Sequence, residues 1–253
     1  MDARQRPASC TFGVTVLAPP IITLTRFAAF GDSMTRGEDG NASTLPFWSS
    51  EQQRPLVLLP AQKTYPGVLQ QLLSSRYTTQ SMVVDNFGNP AERAGAPATR
   101  SRFSSVASSG YQAVLIMEGA NDLADRNAAS TDAAIASLGQ MVRDAKSRGV
   151  RPFLATIPPQ VPGGSRSFLS WPLVAPFNDR VRALAVFEGA TLVDVYAGLV
   201  SNTPLYINND GEHLTEAGYA KIADVFFTAL RGTLERVPAI TLSRPQAALA
   251  SRP

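Results

Sequence analysis

Short apolar runs alternate with amphipathic stretches along most of the chain, and this alternation predicts the fold. The apolar runs predict five β-strands, at residues 24–30, 81–86, 113–117, 153–157 and 191–195. Apolar residues at helical spacing predict helices within 65–75, 93–109, 135–148, 177–188 and 215–234. Strands that alternate with helices in this way form a parallel sheet covered by helices on both faces. The pattern therefore predicts an α/β protein.

Three of these strands run into glycine or polar residues at their carboxyl ends. The first leads through Gly31 and Asp32 to Ser33, the second ends near Gly88, and the third is followed by Asn121. The carboxyl ends of parallel strands meet at one edge of a sheet, where open α/β sheets bind ligands. We therefore expect Ser33, Gly88 and Asn121 to lie close together. A serine after a strand also often caps a helix, so Ser33 alone fits either a nucleophile or a cap.

The chain has a single histidine, His213, in a loop just before the last predicted helix. Asp210 lies three residues earlier, close enough for its carboxylate to hold the Nδ1 proton while Nε2 faces a serine. Any mechanism that uses a neutral imidazole as its base must therefore use His213. A histidine near an aspartate is also common on protein surfaces, so the pair indicates catalysis only in combination with Ser33.

Composition narrows the possible functions. With 253 residues, 44% hydrophobic and 17% charged, the chain can build one sizeable α/β core. The net charge of +3 is small and the basic residues form no run, so no nucleic-acid partner is expected. A single cysteine, Cys10, and a single histidine exclude an internal disulfide and a cysteine-built or multi-histidine metal site. We expect neither a metal nor a cofactor. No stretch approaches the roughly 20 apolar residues of a membrane span.

The ends of the chain differ from its centre. Residues 1–23 are expected to form an extension or linker, residues 24–236 one catalytic domain, and residues 237–253 a flexible tail. The segment 9–16, SCTFGVTV, resembles the closing strand of the hyalin-repeat, immunoglobulin-like domains of bacterial surface and secreted proteins. That resemblance implies a remnant of an upstream domain and a secreted or cell-surface location, although the start of the chain has no signal peptide. An arbitrary extension would explain the same residues.

Two long loops should border the edge that carries Ser33. They span residues 38–63 and 158–176, and both are rich in proline, glycine or small polar residues around a few aromatic ones. Such loops either form the walls of a substrate pocket or simply cover the core. The candidate substrate-contacting residues are Asp32, Trp48, Phe168 and Trp171.

Four ordered blocks resemble those of the SGNH, or GDSL, hydrolase family, and the resemblance extends over residues 27–234. The blocks are AFGDSMT at 29–35, NFG at 86–88, GAND at 119–122 and DGEHLT at 210–215. The resemblance implies a three-layer α/β/α fold with a flavodoxin-like parallel sheet of about five strands. The second block departs from the family, because Asn89-Pro90-Ala91 replaces the usual glycine-containing continuation. This departure leaves the shape of that loop open.

The resemblance also assigns roles to residues of these blocks. Ser33 would be the nucleophile, His213 the general base and acid, and Asp210 the residue that orients the imidazole. The oxyanion hole would consist of the Ser33 amide, the Gly88 amide and the Asn121 side-chain amide. The residue types fit this chemistry, because a hydroxyl needs a base and a tetrahedral oxyanion needs preorganised donors. The G-x-S-x-G elbow of α/β-hydrolases is absent around Ser33.

The resemblance thus implies an extracytoplasmic esterase that works through an acyl-serine intermediate on a small-molecule or carbohydrate ester. It also implies short acyl chains, including acetyl groups on carbohydrate, as the substrates. A lysophospholipase, a thioesterase or an acyltransferase would use the same residues. A non-catalytic carbohydrate-binding or surface module on an esterase scaffold is the alternative from another class. Arg93, Arg100 and Arg102 could contact an anionic substrate, but a solvated face is the simpler explanation. The sequence leaves the oligomeric state open.

Overall fold

The computed structural model describes residues 18–40, 57–167 and 169–236 of the chain. A short strand β1 (Ile21–Ile22) precedes a central sheet of five parallel strands. These strands are β2 (Arg26–Gly31), β3 (Val83–Gly88), β4 (Ala113–Met117), β5 (Arg151–Ala155) and β6 (Thr191–Val193). Their order is β3-β2-β4-β5-β6, the flavodoxin-like order, and its winding reverses between β2 and β4. Ligands bind such sheets at that reversal, next to the carboxyl end of β2.

The helices form two groups, one on each face of the sheet. They are α1 (Ser33–Arg36), α2 (Tyr65–Arg76), α3 (Pro97–Ala107), α4 (Ala128–Ser147), α5 (Trp171–Glu188), α6 (Val195–Leu199), α7 (Thr203–Tyr206) and α8 (Glu216–Leu234). In one group α2 packs against α8, and α8 also contacts α6 and α7; in the other, α4 packs against α3 and α5. The three-layer α/β/α prediction is therefore confirmed.

The core lies between the sheet and each helix layer. All five residues of β4 are buried, as expected for a central parallel strand with helices on both faces. Phe30 of β2 meets Phe103 of α3 edge to face at 5.1 Å, and Tyr65 stacks on Phe226 at 5.2 Å to join α2 to α8. Each such aromatic pair adds roughly 0.5–1.5 kcal/mol beyond its buried area. These contacts pack α3 against β2, three residues before Ser33, and α2 against α8.

The helix expected to begin at residue 177 begins at Trp171 instead. The prolines before residue 177 predicted a loop up to that residue, and this prediction was wrong. Pro172 fits the first helical turn, where no intrahelical N–H bond is needed, and Pro176 lies inside the helix. The loop predicted at 158–176 therefore ends at residue 170.

Four of the five strands of the sheet also differ in their bounds from the prediction, and β2 spans Arg26–Gly31 instead of 24–30. β3 lies two residues later than expected, because its register with β2 runs from Arg26↔Val83 to Gly31↔Gly88. Gly88 is thus the last residue of the strand. β5 begins two residues earlier than expected, and β6 ends at Val193 because Asp194 caps α6.

The two ends of the described domain are joined before the amino end of β2. β1 pairs antiparallel with β7 (Glu235–Arg236), and Ile22 is buried in the core. The folded unit therefore includes Ile21–Ile22, which the sequence analysis placed in the extension. The predicted remnant at 9–16, the predicted tail, and Trp48 and Phe168 lie outside the described residues. Within those residues, no helix combines the length and the apolar character needed to cross a membrane.

Candidate active site

Ser33 is the first residue of α1, directly after the turn that ends β2. Asp32 is the N-cap of this helix and accepts a hydrogen bond from the Met34 amide at 2.9 Å. The capping role is therefore taken by Asp32, which leaves the Ser33 hydroxyl available for another partner. A Cβ at Gly31 would lie 2.0 Å from Thr35 Oγ1 and 2.4 Å from the Met117 carbonyl oxygen. Only glycine fits there, so this close packing fixes where Ser33 stands.

His213 and Asp210 complete a chain of hydrogen bonds that begins at Ser33. Nε2 of His213 lies 2.9 Å from Ser33 Oγ, and Nδ1 lies 2.6 Å from Asp210 Oδ2. The other oxygen of Asp210 accepts from the amides of Glu212 and His213 at 3.0 and 2.9 Å. Gly211, with φ of 85°, provides the left-handed turn within this loop. The structure thus brings together the three residues that the sequence suggested for a triad.

The charges around the imidazole favour its protonated form. Burial alone would lower the pKa of His213, but the hydrogen bond to Asp210 and the charges of Glu212, Asp210 and Glu38 outweigh it and raise the pKa to about 9. Burial would raise the pKa of Asp210, yet its hydrogen bonds with His213 hold it below the usual value. Burial raises the pKa of Glu212, whose carboxylate accepts from Gln160 Nε2 at 3.0 Å.

The Gly88 amide, expected in the oxyanion hole, already has an acceptor. It donates to Asn86 Oδ1 at 2.9 Å, while Asn86 Nδ2 donates to the Thr35 carbonyl at 2.9 Å. A Cβ at Gly88 would lie 2.1 Å from the Arg36 amide nitrogen, so this glycine permits β3 to pack against α1. Gly88 therefore has a packing role. Its amide, which was expected to donate to the oxyanion, donates to Asn86 instead.

Asn121 and the turn at residues 89–92 lie side by side. Asn121 Nδ2 donates to the Glu92 carbonyl at 2.8 Å, which leaves its second amide hydrogen available. In the same turn, Ala91 has φ of 58°, a left-handed conformation that is uncommon for a residue with a Cβ. Among the described residues, none accepts a hydrogen bond from the Ala91 amide. The turn thus has a glycine-like conformation although the sequence has Asn89-Pro90-Ala91 there.

Comparison with known proteins assigns the family. The family model of the GDSL-like lipase/acylhydrolase family matches residues 29–221. The chain belongs to this family. No curated protein sequence matches the chain.

Solved structures of enzymes with this fold superpose on the chain. A lipase/acylhydrolase from Enterococcus faecalis does so with a TM-score of 0.66 at 18% identity, over 86% of this chain and 100% of its own. An acetylxylan esterase from Geobacillus stearothermophilus gives 0.62 at 19% identity, over 83% and 95%. An α/β-hydrolase enzyme from the metagenome of Lake Arreo, Spain, gives 0.61 at 20% identity, over 81% and 94%. At these identities the likeness concerns the fold.

Asp32 and Glu118 are two buried carboxylates that directly follow the adjacent strands β2 and β4. Both residues are fully buried, and among the described residues Asp32 Oδ2 and both Glu118 carboxylate oxygens have no hydrogen-bond partner. Burial raises the pKa of Asp32 to about 7 and that of Glu118 well above its usual value. Asp32, expected to contact the substrate, is therefore fully buried and not exposed at the surface.

Arg102 is a supporting residue that the sequence analysis placed on a solvated face. Its guanidinium instead turns inward, where it lies 3.9 Å from the centre of the Phe30 ring and pairs with Glu92. It donates to the carbonyl oxygens of Phe87 at 2.7 Å and of Gly31 at 3.3 Å. Arg102 thereby ties the ends of β2 and β3 to the turn beside Asn121. Its position on α3, facing the sheet, was the only signal in the sequence.

The loop at 158–170 supports the Asp210 turn from outside. Val161 donates to the Gly211 carbonyl and Arg166 to the Asp210 carbonyl, both at 2.9 Å from their amide nitrogens. A Cβ at Gly164 would lie 2.2 Å from the Asp210 carbonyl oxygen, so loop and turn are in direct contact. Trp171, a candidate pocket residue, stands at the start of α5 with 42% of its surface exposed.

Proposed function

We propose that the protein is a serine-dependent carboxylic ester hydrolase that works through an acyl-Ser33 intermediate. Membership of the acylhydrolase family supports ester hydrolysis in general. The observation that carries the specific proposal is the unbroken hydrogen-bond chain from Ser33 Oγ through His213 to Asp210, at 2.9 and 2.6 Å. This geometry is the one that activates a serine hydroxyl as a nucleophile.

In the proposed reaction, neutral His213 accepts the Ser33 proton while Oγ attacks the ester carbonyl carbon. The tetrahedral intermediate then expels the alcohol, which takes its proton from the imidazolium. Water next attacks the acyl-serine with His213 again as base, and the carboxylic acid leaves as Ser33 regains its proton. Asp210 holds the Nδ1 proton throughout, which stabilises the imidazolium formed in each half of the reaction.

The oxyanion would receive hydrogen bonds from two or three donors. The Ser33 amide is at the first turn of α1, where backbone amides have no intrahelical acceptor, and Asn121 offers its second amide hydrogen. The Ala91 amide is a better third donor than that of Gly88, because the latter is bound to Asn86. The left-handed conformation of Ala91 supports this assignment, since strained residues concentrate at functional sites.

Esters of short acyl groups, including acetyl groups on carbohydrate, are the substrates we propose. The structural likeness to an acetylxylan esterase makes acetylated xylan a sensible member of a first substrate panel. We further propose an extracytoplasmic location, which rests on the resemblance of residues 9–16 to a domain of surface and secreted proteins.

The first test of this function is covalent labelling by a fluorophosphonate. Because His213 activates Ser33, mass spectrometry should find one adduct on the peptide that contains Ser33, and Ser33→Ala should abolish it. Hydrolysis of chromogenic esters from acetyl to lauroyl, and of acetylated xylan, then measures the acyl preference. An adduct on another serine would refute the assignment of Ser33. No hydrolysis of any ester would favour a non-catalytic module, and acyl transfer to an added alcohol would favour a transferase.

A further inference from the structure

Glu38 faces the same nitrogen of His213 that Ser33 faces. Its Oε2 lies 3.4 Å from His213 Nε2, compared with 2.9 Å for Ser33 Oγ. The other carboxylate oxygen, Oε1, lies 3.7 Å from the guanidinium of Arg166. The reaction described above gives Glu38 no part, although its carboxylate stands beside the atom that must accept the proton of the nucleophile.

The backbone holds Glu38 in this position from both sides. Its amide donates to the Ser33 carbonyl at 3.0 Å, and its own carbonyl accepts from the Tyr219 hydroxyl at 2.6 Å. Two residues later, a Cβ at Gly40 would lie 2.8 Å from the Asp210 side chain, so the segment is pressed against the His213 loop. The Glu38 side chain is only 13% exposed. The carboxylate is therefore a fixed neighbour of Nε2.

The protonation state of the imidazole decides what Glu38 can do. With Nδ1–H bound to Asp210, the neutral ring presents a lone pair at Nε2, which accepts from Ser33 and offers nothing to a carboxylate. A second proton makes Nε2 a donor, and Glu38 then becomes a charged acceptor for it. Glu38 thus stabilises the imidazolium and not the neutral base.

We propose that Glu38 is a positioning residue that stabilises the imidazolium of His213 through Nε2 and thereby sets the pH below which Ser33 loses its base. The inference rests on the proposed hydrolase function. Its consequence has two opposite parts. Glu38 slows the enzyme at low pH, because it favours the protonated form of His213, which cannot accept the Ser33 proton. It also strengthens the base at high pH, because the same imidazolium forms in the transition state.

Other charged groups surround His213, but each has a different relation to the ring. Asp210 contacts Nδ1, and Glu212 is bonded to Gln160. Arg166 reaches Glu38 from the loop at 158–170 and partly neutralises it. The remaining two are Asp32, behind Ser33, and Asp39, whose carboxylate accepts from Asn208 at 3.2 Å. Among these carboxylates, Glu38 is the one for which the structure records a contact with Nε2.

The single histidine makes the first experiment direct. In protein labelled with ¹⁵N-histidine, NMR gives one imidazole, so its titration belongs to His213 without assignment. Glu38→Gln should lower the midpoint by on the order of 1 pH unit, because a charge at this distance is removed. Glu188→Gln is the matched control: it breaks the ion pair of a similarly buried glutamate with Arg143, and the midpoint should not move.

Arg166→Gln tests the sign of the effect with a second variant. Removing the guanidinium leaves Glu38 without its counter-charge, so the His213 midpoint should rise. If Glu38→Gln does not fold, this variant decides alone. An unchanged midpoint in the folded Glu38→Gln protein, or an unchanged or lower midpoint in Arg166→Gln, would overturn the proposal.

The pH dependence of kcat/KM on a short activated ester provides the second measurement. The profiles of Glu38→Gln and of the unchanged protein should cross, with the variant about threefold faster on the acid side and slower on the alkaline plateau. If Glu38 only supported the fold, Glu38→Gln would lower kcat/KM by the same factor at every pH. That result would also overturn the proposal. If the midpoints shift as expected in a protein that hydrolyses no ester, the hydrolase function fails while the contact of Glu38 with His213 stands.

Discussion

Carboxylates near the two ends of the sheet have opposite environments. Before the amino end of β2, Glu235 accepts hydrogen bonds from Arg76 and from the Tyr77 hydroxyl, each at 2.7 Å. The Arg76 hydrogen bond is the main reason why the pKa of Glu235 falls to about 2. At the carboxyl end, burial raises the pKa of Asp32 to about 7 and that of Glu118 well above its usual value. Glu235 is thus paired with Arg76, whereas three of the four carboxylate oxygens of Asp32 and Glu118 have no hydrogen-bond partner among the described residues.

This difference distinguishes a carboxylate that stabilises the fold from carboxylates that lie next to the candidate nucleophile. Glu235 joins β7 to α2 with complementary charges, so it closes the domain. Asp32 directly precedes Ser33, and Glu118 follows the neighbouring strand β4. Their buried oxygens without a hydrogen-bond partner among the described residues are expected to reduce stability. Proteins tolerate such local conflict mainly where function requires it. We therefore expect substitutions at the carboxyl end to change activity more than stability, and those at the amino end to do the reverse.

The largest effect should come from Asn121→Ala at the carboxyl end. If Asn121 donates to the oxyanion, kcat should fall by roughly 10² to 10³ because one preorganised donor is lost. The melting temperature should fall by only a few degrees, since the single bond to the Glu92 carbonyl is worth about 1 kcal/mol. Steady-state kinetics on one activated ester and a thermal melt measure both quantities.

Asn89→Ala is the matched control for that experiment. Asn89 lies in the turn at residues 89–92 beside Asn121, is exposed, and donates its side-chain amide to the Glu92 carboxylate at 3.2 Å. Its removal should leave kcat within about twofold of the unchanged protein, because it offers nothing to the oxyanion. Equal losses of kcat in both variants would mean that the turn, and not the Asn121 donor, is responsible.

The order of the blocks predicts part of this site, and side-chain packing determines the rest. Ser33 and Asn121 follow adjacent strands of the sheet, and the loop of His213 precedes α8, so the sequence alone brings them to one edge. The bond from Gly88 to Asn86 depends on one side-chain rotamer, which no periodicity encodes. The contact of Glu38 with His213 likewise depends on how two loops distant in the chain pack together.

Glu118→Gln should stabilise the protein at alkaline pH. The folded pKa of Glu118 is raised above its unfolded value by burial, so its contribution to stability is complete below the unfolded pKa and declines as pH rises through the folded pKa. Glutamine keeps the shape without the ionisation. The melting temperature should therefore rise more at pH 9 than at pH 5, by several degrees for an effect of about 1–3 kcal/mol.

Asp144→Asn is the control for Glu118, because Asp144 forms a surface pair with Arg148 on α4. The melting temperature of this variant should stay within about 1 °C of that of the unchanged protein at both pH 5 and pH 9. A Glu118→Gln gain that is equal at pH 5 and pH 9 would show that packing, and not ionisation of Glu118, limits stability at this end.

Glu235→Gln should give the smallest effect, with the opposite dependence on pH. The folded pKa of Glu235 lies below its unfolded value, so its contribution is present above the unfolded pKa and is lost as pH falls through the folded pKa of about 2. The melting temperature of the variant should be a few degrees lower at pH 7, and this gap should close between about pH 4.5 and pH 2. High salt should also narrow the gap, because the pair with Arg76 is partly exposed and therefore screened. The value of kcat/KM should not change, since the pair lies at the amino end of the sheet. A gap that persists at pH 2, or a loss of activity, would contradict the proposed contrast between Glu235, whose ion pair stabilises the fold, and the buried carboxylates next to Ser33.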